Sequence, residues 1–287
     1  MLRTMIEPRA PPPESVLRDV FGYDEFRPGQ AHIIDSVLAG RDCIGVMPTG
    51  AGKSLTFQIP ARLMPGTVLV LSPLISLMKD QVDALSDLGF RATAINSSLA
   101  ADERRRRLRG FERGDYELVY LAPEALGPHM RARLRYAPLS LIVVDEAHCI
   151  SQWGHDFRPS YRALQGLRDE IRDEGAGGNG LPILALTATA TRRVAADIVR
   201  QLGMRKPEGY KGSFFRSNLR VVCRKKGEGN TRAEILGLIR RHRGESGIVY
   251  CLSRKSVEQM AEFLRREGVD AVPYHAGLDD DARAEHQ

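Results

Sequence analysis

The sequence predicts an α/β fold built on a parallel sheet with flanking helices. Six short apolar runs rich in β-branched residues recur between residues 43 and 188, and helix-like segments lie between most of them. This alternation is typical of parallel strands joined by helical crossovers. The runs interpreted as strands are CIGVM (43–47), TVLVLS (67–72), ATAIN (92–96), LVYLA (118–122), LIVV (141–144) and ILALTA (183–188).

The clearest helical segment is PGQAHIIDSVLAG (28–40), in which Pro28 suits the first helical turn and Gly40 is a typical stop signal. Polar residues follow most of the strand-like runs, at the edge where parallel sheets bind ligands. They are Gly50 to Ser54, Ser72–Pro73, Pro123–Glu124, Asp145–Glu146 and Thr187 to Thr189.

The length of 287 residues is enough for two domains of roughly 150 residues each. We predict a disordered, proline-containing lead-in over 1–14, a first lobe over 15–208 and a second, incomplete lobe over 209–287. The second lobe is expected to contain strands at 219–223, 247–252 and 269–277. Between the last two we expect a helix whose apolar face carries Val257, Met260, Ala261 and either Phe263 or Leu264.

Composition narrows the class of protein. No run approaches the ~18 apolar residues of a membrane span, and the amino terminus has no apolar segment of a secretory signal. The net charge of +6 permits a polyanionic partner. The four cysteines are far apart in the sequence, which predicts buried free thiols in a reducing compartment and therefore a cytoplasmic protein.

The segment MPTGAGKS (47–54) resembles a phosphate-binding loop between a strand and a helix. Its glycines allow backbone N–H groups to approach phosphates, Lys53 would contact the β- and γ-phosphates, and Ser54 would bind Mg²⁺. The strict pattern of such loops has glycine where this chain has Met47. The alternative to a nucleotide-binding loop is a glycine-rich turn between a strand and a helix that binds no ligand. The residues that we predict to bind ATP here are Thr49, Gly50, Gly52, Lys53 and Ser54.

Asp145 and Glu146 follow four apolar residues of a predicted strand. A metal ion between phosphates needs a carboxylate, which we assign to Asp145. An attacking water needs a base, which we assign to Glu146. A solvated acidic turn is the alternative, and the phosphate loop upstream makes it less favoured.

The aromatic loop (151–159) follows directly and contains Trp153, His155, Phe157 and Arg158. Trp153 is the only tryptophan, and its neighbours are polar, as expected for a loop. Stacking of a nucleic-acid base on an exposed aromatic ring contributes about 1–3 kcal/mol. We predict contact with a nucleic-acid strand here; ordinary core packing is the alternative.

Two weaker signals need support from elsewhere. Tyr23, Arg27 and Gln30 precede the phosphate loop, and such side chains stack on or pair with adenine, although Gln30 is equally typical of an exposed helix position. The run ERRRRLR (103–109) is better interpreted as a solvated helix face than as a nucleic-acid contact.

Several motifs together resemble the RecQ family of ATP-dependent DNA helicases. The resemblance extends from about residue 15 to the end of the chain, and DEAHCISQWGHDFRP (145–159) is its most specific part. The other motifs that carry it are FGYDEFRPGQ (21–30), MPTGAGKS (47–54), LSPLISLMKDQ (71–81), YLAPE (120–124), LALTATAT (184–191), IVYCLSR (248–254) and YHAGL (274–278).

The resemblance implies two RecA-like lobes of the P-loop NTPase type with ATP between them, 3′-to-5′ movement on single-stranded DNA, and unwinding of partly duplex DNA in repair or recombination. It also implies nucleoid association if the source is bacterial. Tyr23, Arg27 and Gln30 would hold adenine. The residues that would couple DNA binding to hydrolysis are His148, Trp153, His155, Phe157, Arg158, Thr187, Thr189, Ser253 and Arg254.

The family's arginine-finger motif, zinc-binding region and winged helix are not found in the sequence. Because an arginine finger contributes about 10³ to 10⁵ in rate in related enzymes, we expect this chain alone to bind Mg·ATP but hydrolyse it slowly. Two alternatives stay open: an RNA helicase with the same engine, and a non-catalytic DNA-binding fragment that responds to nucleotide.

Overall fold

A computed structural model describes residues 11–97, 99–154, 156–171, 180–213, 219–223 and 230–279, together with 282 and 286. The chain divides into two compact units, Met1–Arg216 and Ser217–Gln287. The first unit thus extends beyond the boundary placed at 208 from the sequence, because a strand that begins at 208 belongs to its sheet.

In the first unit, helices alternate with strands as predicted. The strands are β1 (Cys43–Val46), β2 (Thr67–Leu71), β3 (Ala92–Ile95), β4 (Leu118–Leu121), β5 (Leu139–Val144), β6 (Ile183–Thr187) and β7 (Glu208–Lys211). The helices are α1 (Pro13–Asp19), α2 (Gln30–Leu38), α3 (Leu55–Leu63), α4 (Ile75–Asp87), α5 (Ala101–Arg113), α6 (Pro128–Leu134), α7 (Leu167–Glu170) and α8 (Arg192–Gln201).

The seven strands form one sheet in the order β3-β4-β2-β5-β6-β1-β7, and the paired strands run parallel. The predicted α/β fold is therefore confirmed. Val46 pairs with Thr187 and Leu71 pairs with Val144. The carboxyl ends of β1, β6, β5 and β2 consequently meet at one edge, where a parallel sheet places its ligand site.

Both faces of the sheet are covered, which explains why its strands are apolar throughout. Successive residues of β5 alternate between two cores. Ile142 and Val144 pack in a cluster that includes Phe111 of α5 and Ile198 of α8. Leu141 and Val143 pack in a second cluster with residues of α2, α3 and α4.

Asp42 ties together the opposite edge of the sheet. This residue is 4% exposed, and Arg168, 8% exposed, donates to both of its carboxylate oxygens at 2.8 and 2.7 Å. The same carboxylate accepts backbone N–H bonds from Ile183 (2.8 Å) and Arg205 (2.5 Å). One buried ion pair thus joins the residue before β1 to the start of β6 and the segment before β7.

Helix details differ from the sequence prediction in two places. The disordered lead-in predicted over 1–14 is wrong at its end, because α1 begins at Pro13, and its first ten residues lie outside the described residues. Pro28 precedes α2 rather than lying in its first turn, because Gly29 at φ 86° is the N-cap residue and the helix begins at Gln30. The arginine run lies on α5 as predicted, with Leu108 and Phe111 buried on the opposite side.

The second unit contains two described helices, α9 (Thr231–Arg241) and α10 (Arg254–Arg266). Ala261 and Leu264 are buried on α10, in line with the predicted apolar face. The strands predicted at 219–223, 247–252 and 269–277 are wrong for the described residues, none of which is assigned to a strand there. A strand requires a neighbouring strand to pair with its backbone N–H and C=O groups. Apolar composition alone was therefore not sufficient to predict strands in these segments.

All four cysteines are free thiols. Cys43 and Cys149 are buried as predicted, whereas Cys223 is exposed. Cys223 lies in the segment 219–223, which was predicted to be a buried strand. The prediction of a buried thiol therefore fails together with the prediction of the strand. Among the described helices, none has the length and apolarity needed to cross a membrane.

Candidate active site

The phosphate loop (47–54) joins β1 to α3, so the strand and the helix that flank it are both present. Gly50 and Gly52 have φ values of 81° and 76°, a left-handed conformation that glycine adopts at little cost. The Lys53 ammonium donates to the Met47 carbonyl (3.3 Å), so its charge lies over the loop. Met47, which stands where the strict pattern has glycine, is fully buried and packs in the second core cluster.

Gln30 and Arg27 hold the phosphate loop from the side. The Gln30 amide nitrogen donates to the carbonyls of Gly52 (2.9 Å) and Ala51 (3.3 Å), and its oxygen accepts from the Arg27 backbone N–H (2.8 Å). The Arg27 guanidinium donates to the Gly50 carbonyl. Gln30 is only 1% exposed, so it is not an ordinary exposed helix residue. Its contact with adenine stays a prediction.

A cleft of about 290 Å³ opens beside these residues, and Tyr23, Arg27 and Gln30 all line it. Apolar side chains such as Leu17 and Leu85 form much of the remaining wall. An apolar cleft with a few polar groups is typical of a small-molecule site. The structure therefore brings the three predicted adenine-binding residues together.

Gly52→Ala is expected to lower the thermal stability of the nucleotide-free chain more than Gly50→Ala. Both glycines have positive φ, where alanine costs about 1–2 kcal/mol. A Cβ at Gly52 would overlap the Gln30 amide nitrogen, whereas one at Gly50 meets no described atom within 4 Å. Melting of both variants, followed by fluorescence, measures the difference. Equal losses would show that the Gln30 contact does not hold the loop.

Asp145 and Glu146 follow β5 directly. The Glu146 N–H donates to the Asp145 carboxylate (2.9 Å), and the Tyr161 hydroxyl donates to the Asp145 backbone carbonyl (2.9 Å). Burial raises the pKa of Asp145 from 3.8 to about 6, and the Glu146 carboxylate acts in the same direction. Lys53 and His148 oppose this pKa rise. The poorly solvated Asp145 carboxylate is thus suited to bind a cation.

This pKa predicts how stability depends on pH in the absence of Mg²⁺. A carboxyl group with a raised folded-state pKa stabilises the fold when protonated, and that contribution is lost as pH rises from about 4 through 6. We therefore expect Asp145→Asn to gain in melting temperature relative to the original chain as pH rises from about 5 to about 7. A difference that is constant over this range would contradict the raised pKa. Saturating Mg²⁺ should reduce the difference at pH 7.

The residues near Asp145 fit a magnesium ion. Ser54 and Asp145 both line a cavity of about 20 Å³, which has room for about one water. Tyr120 lines it too, and its buried hydroxyl makes no hydrogen bond of normal geometry to a described residue. Burial raises the pKa of Tyr120, against a smaller opposing effect from Gln58. Mg²⁺ requires oxygen ligands and space for water, and this cavity offers both. Thr49, which was predicted to bind ATP, is exposed in the adjoining phosphate loop.

Glu146 adopts a left-handed conformation, with φ 47° and ψ 44°. Such strain in a residue other than glycine is typical of functional sites. Its carboxylate lies 3.2 Å from His148 Nδ1, which is also 2.9 Å from the Thr187 hydroxyl. His148 Nδ1 thus lies within hydrogen-bond distance of both the Glu146 carboxylate and the Thr187 hydroxyl. Thr187 also bonds to the backbone of Thr189 (3.2 Å), which completes a path from β5 to β6.

The aromatic loop is attached to α8. The buried Ser151 hydroxyl donates to Asp197 on α8 (2.7 Å) and accepts from the Trp153 N–H (3.2 Å). Trp153 is 57% exposed, and the Arg193 guanidinium lies 3.4 Å from the centre of its ring. This exposure contradicts the core-packing alternative for Trp153. His155 lies outside the described residues.

The second half of the aromatic loop reaches β2. The Arg158 guanidinium pairs with Asp156 (3.0 Å) and donates to the Pro73 carbonyl just after β2 (3.4 Å). The Arg162 guanidinium lies 5.2 Å from the centre of the half-buried Phe157 ring. The loop is therefore fixed at both ends to the edge that carries the phosphate loop.

Residues 27–198 match the family model described as DEAD/DEAH box helicase. This match covers more than half of the chain and includes the phosphate loop, the Asp-Glu pair and the aromatic loop. The chain belongs to the DEAD/DEAH box helicase family.

Curated relatives of this helicase domain include the ATP-dependent DNA helicase RecQ of Bacillus subtilis, 46% identical over 278 residues, which span 96% of this chain and 45% of the relative. RecQ of Haemophilus influenzae is 44% identical over 266 residues, which span 92% of this chain and 42% of the relative. The resemblance to RecQ helicases is therefore confirmed. The chain spans less than half the length of either relative.

Solved structures support the helicase fold independently. MrfA bound to DNA has a TM-score of 0.70 at 17% identity, covering 98% of this chain and 42% of MrfA. The Mycobacterium smegmatis helicase Lhr has a TM-score of 0.64 at 17% identity, covering 97% of this chain and 40% of Lhr. At such low identity the likeness concerns the fold alone.

Ser253 and Arg254 lie in the second unit, exposed at the start of α10. The Ser253 hydroxyl accepts from the Ser256 N–H (3.2 Å), and the Ser256 hydroxyl accepts from the Ser253 N–H (3.1 Å). This reciprocal capping is a structural role for Ser253. Contact with DNA at these two residues stays a prediction.

Sequence reasoning missed Tyr120 at the metal-binding edge, and Asp197 and Arg193 beside the aromatic loop. It placed Ser151 in the loop but not its contact with Asp197. A tyrosine in an apolar run carries no signal that its hydroxyl lines a cavity beside Asp145. Ser151 and Asp197 are 46 positions apart, so their pairing is not visible in a single sequence. The sequence did offer one signal for Arg193. A cation in the first turn of a helix opposes the helix dipole, which indicates a role other than stabilising the helix.

Proposed function

We propose that this chain is the ATP-driven motor portion of a RecQ-type DNA helicase, which moves along single-stranded DNA and unwinds partly duplex DNA. The observation that supports this most is the path of contacts from Glu146 through His148 to Thr187 and Thr189. Thr187 ends β6, and the segment after Thr189 leads into α8. Helix α8 also holds the aromatic loop through Asp197. Nucleotide chemistry and DNA binding would thereby act on one connected set of residues.

The phosphate loop would receive the triphosphate. Gly50 and Gly52 have no Cβ atoms, so phosphate oxygens can approach the backbone N–H groups of the loop closely. Lys53 would exchange the Met47 carbonyl, at 3.3 Å, for the stronger attraction of a phosphate. Ser54 and Asp145 would hold Mg²⁺, which when bound neutralises phosphate charge and orients the reacting group.

Glu146 would accept the proton of the attacking water. Its carboxylate is held 3.2 Å from Nδ1 of His148, which orients it. A change in the position of Glu146 would alter the bond between His148 and Thr187 (2.9 Å), and so the start of α8. This is how hydrolysis would reach the aromatic loop.

Trp153 would stack on an unpaired base, independently of sequence. Phosphate contacts should make the affinity fall with increasing salt. The similarity to RecQ proteins further leads us to propose 3′-to-5′ movement. Strand-displacement assays on duplexes with a 3′ or a 5′ single-stranded overhang test this direction, since only the 3′ overhang should support unwinding.

ATP turnover with and without single-stranded DNA tests the proposed function. We expect Lys53→Ala to abolish turnover in both conditions, and Trp153→Ala to lower the stimulation by DNA without changing DNA-free turnover. Tyr136→Ala removes another exposed aromatic residue, 79% exposed and away from the loop, and should change neither. If RNA stimulated turnover as strongly as DNA, an RNA helicase would be the better assignment. Nucleotide binding without turnover would indicate a non-catalytic module.

A further inference from the structure

Arg193 covers one face of the exposed Trp153 indole. The guanidinium carbon is 3.4 Å from the ring centre, which is the distance of two stacked planar groups. Even so, 57% of Trp153 stays exposed. One face of the ring is therefore backed by protein, while solvent reaches the rest.

The position of Arg193 is not explained by the stability of α8. It lies in the first helical turn, where a positive charge opposes the helix dipole. Asp197, four residues later on the same helical face, would be its ordinary partner. Asp197 instead accepts from Ser151 (2.7 Å) and pairs with Arg200. The contact with Trp153 is what remains to account for Arg193.

The same helical face therefore supports the aromatic loop at two points. Asp197 holds the loop through Ser151, whose hydroxyl also accepts the Trp153 N–H (3.2 Å). Arg193 holds the Trp153 side chain itself. The first contact fixes the backbone of Trp153, and the second restricts rotation of its ring.

We propose that Arg193 is a positioning residue for DNA binding, which backs the Trp153 indole so that its open face is presented to a base. This inference rests on the proposed function of Trp153 as a stacking platform. Cation–π attraction between the guanidinium and the ring also helps to hold the ring in this orientation. A base bound in this way would leave Arg193 in place, as the outer layer of a base–indole–guanidinium stack.

A direct phosphate contact by Arg193 is the competing explanation, and the two differ in salt dependence. Loss of one phosphate contact reduces the slope of log affinity against log salt by about 0.7 for a single strand. Loss of a positioning residue lowers affinity but leaves that slope unchanged. The Arg193 guanidinium, which lies 3.4 Å from the centre of the Trp153 ring, favours the second behaviour, because it already has the indole as its partner.

The test measures binding of a fluorescent oligo(dT) to the full chain over a series of salt concentrations. Arg193→Ala should weaken binding by about three- to tenfold with an unchanged salt slope. Arg192→Ala removes the same charge from the same helical turn and should change affinity by less than about twofold. Because Trp153 is the only tryptophan, acrylamide quenching reads its exposure directly. Quenching of DNA-free Arg193→Ala should exceed that of the original chain and of Arg192→Ala.

A double-mutant cycle completes the test. In a Trp153→Ala background, Arg193→Ala should have no further effect on affinity. An undiminished effect in that background, or a reduced salt slope, would overturn the positioning role and indicate a phosphate contact. Unchanged affinity in Arg193→Ala would overturn it as well. If Trp153→Ala itself left affinity unchanged, the proposed function of the loop would fail instead, so the two failures are distinguishable.

Discussion

Replacing Glu146 with glutamine should lower single-turnover ATP hydrolysis by about 10²- to 10⁴-fold, the usual contribution of a general base. Glutamine has nearly the same shape, and its side-chain oxygen still lies within reach of His148 Nδ1, now 3.2 Å from the carboxylate. It lacks the basic oxygen that takes the proton from water. Single-turnover conditions, with the chain in excess over ATP, allow even a slow rate to be measured.

Nucleotide affinity is the control for this prediction. Glu146→Gln should bind Mg·ATP within a few-fold of the original chain, since Ser54 and Asp145 are unaltered. Lys53→Ala should lose both binding and hydrolysis, because its ammonium is the phosphate-binding charge of the loop. Hydrolysis by Glu146→Gln at the original rate would remove Glu146 from the role of base. An equal loss of affinity in both variants would instead make Glu146 part of the binding site.

The strands of the first unit were predictable because they are buried on both faces. Such strands consist of continuous apolar residues, as in LIVV (141–144), and their signal does not depend on the neighbouring chain. β7 at 208–211 was missed for the opposite reason. It has the sequence EGYK, lies at the edge of the sheet and alternates between half-buried and exposed residues. Its pairing with β1 is a tertiary contact without a local apolar signal.

The same reasoning explains why the strands predicted in the second unit were wrong. Val221 is 83% exposed and Tyr250 is 90% exposed, although both lie in runs that resemble buried strands. Composition reports the tendency to be buried, whereas strand formation needs a partner for each backbone N–H and C=O. The α10 helix was predictable because its hydrogen bonds are internal to it.

For the candidate site, spacing along one segment was informative and contacts between distant segments were not. The phosphate loop and the Asp-Glu pair were predicted from contiguous motifs, and both lie at the predicted edge. The role of Gln30 was only partly visible, since its amide bonds to backbone carbonyls more than 20 positions away. Arg193 and Asp197 became apparent only when the fold placed α8 against the aromatic loop.

Asp42→Ala is expected to lower the free energy of unfolding of the first unit by about 3–5 kcal/mol, the usual result of removing one partner of a buried ion pair. Arg168 would be left 8% exposed with an uncompensated charge. The backbone N–H groups of Ile183 and Arg205 would also lose their acceptor. Urea unfolding followed by Trp153 fluorescence measures the change, because the only tryptophan lies in this unit.

The exposed pair between Lys79 and Asp83 is a matched control. Its closest N–O distance is 2.7 Å, the same as that of Arg168 and Asp42, but its side chains are 77% and 59% exposed. Asp83→Ala should therefore lower the free energy of unfolding far less than Asp42→Ala, because solvent already screens the pair. Replacing Asp42 and Arg168 together by apolar residues should recover much of the loss, since no unpaired charge stays buried. Similar losses for Asp42→Ala and Asp83→Ala would show that burial does not set the strength of the Asp42 pair.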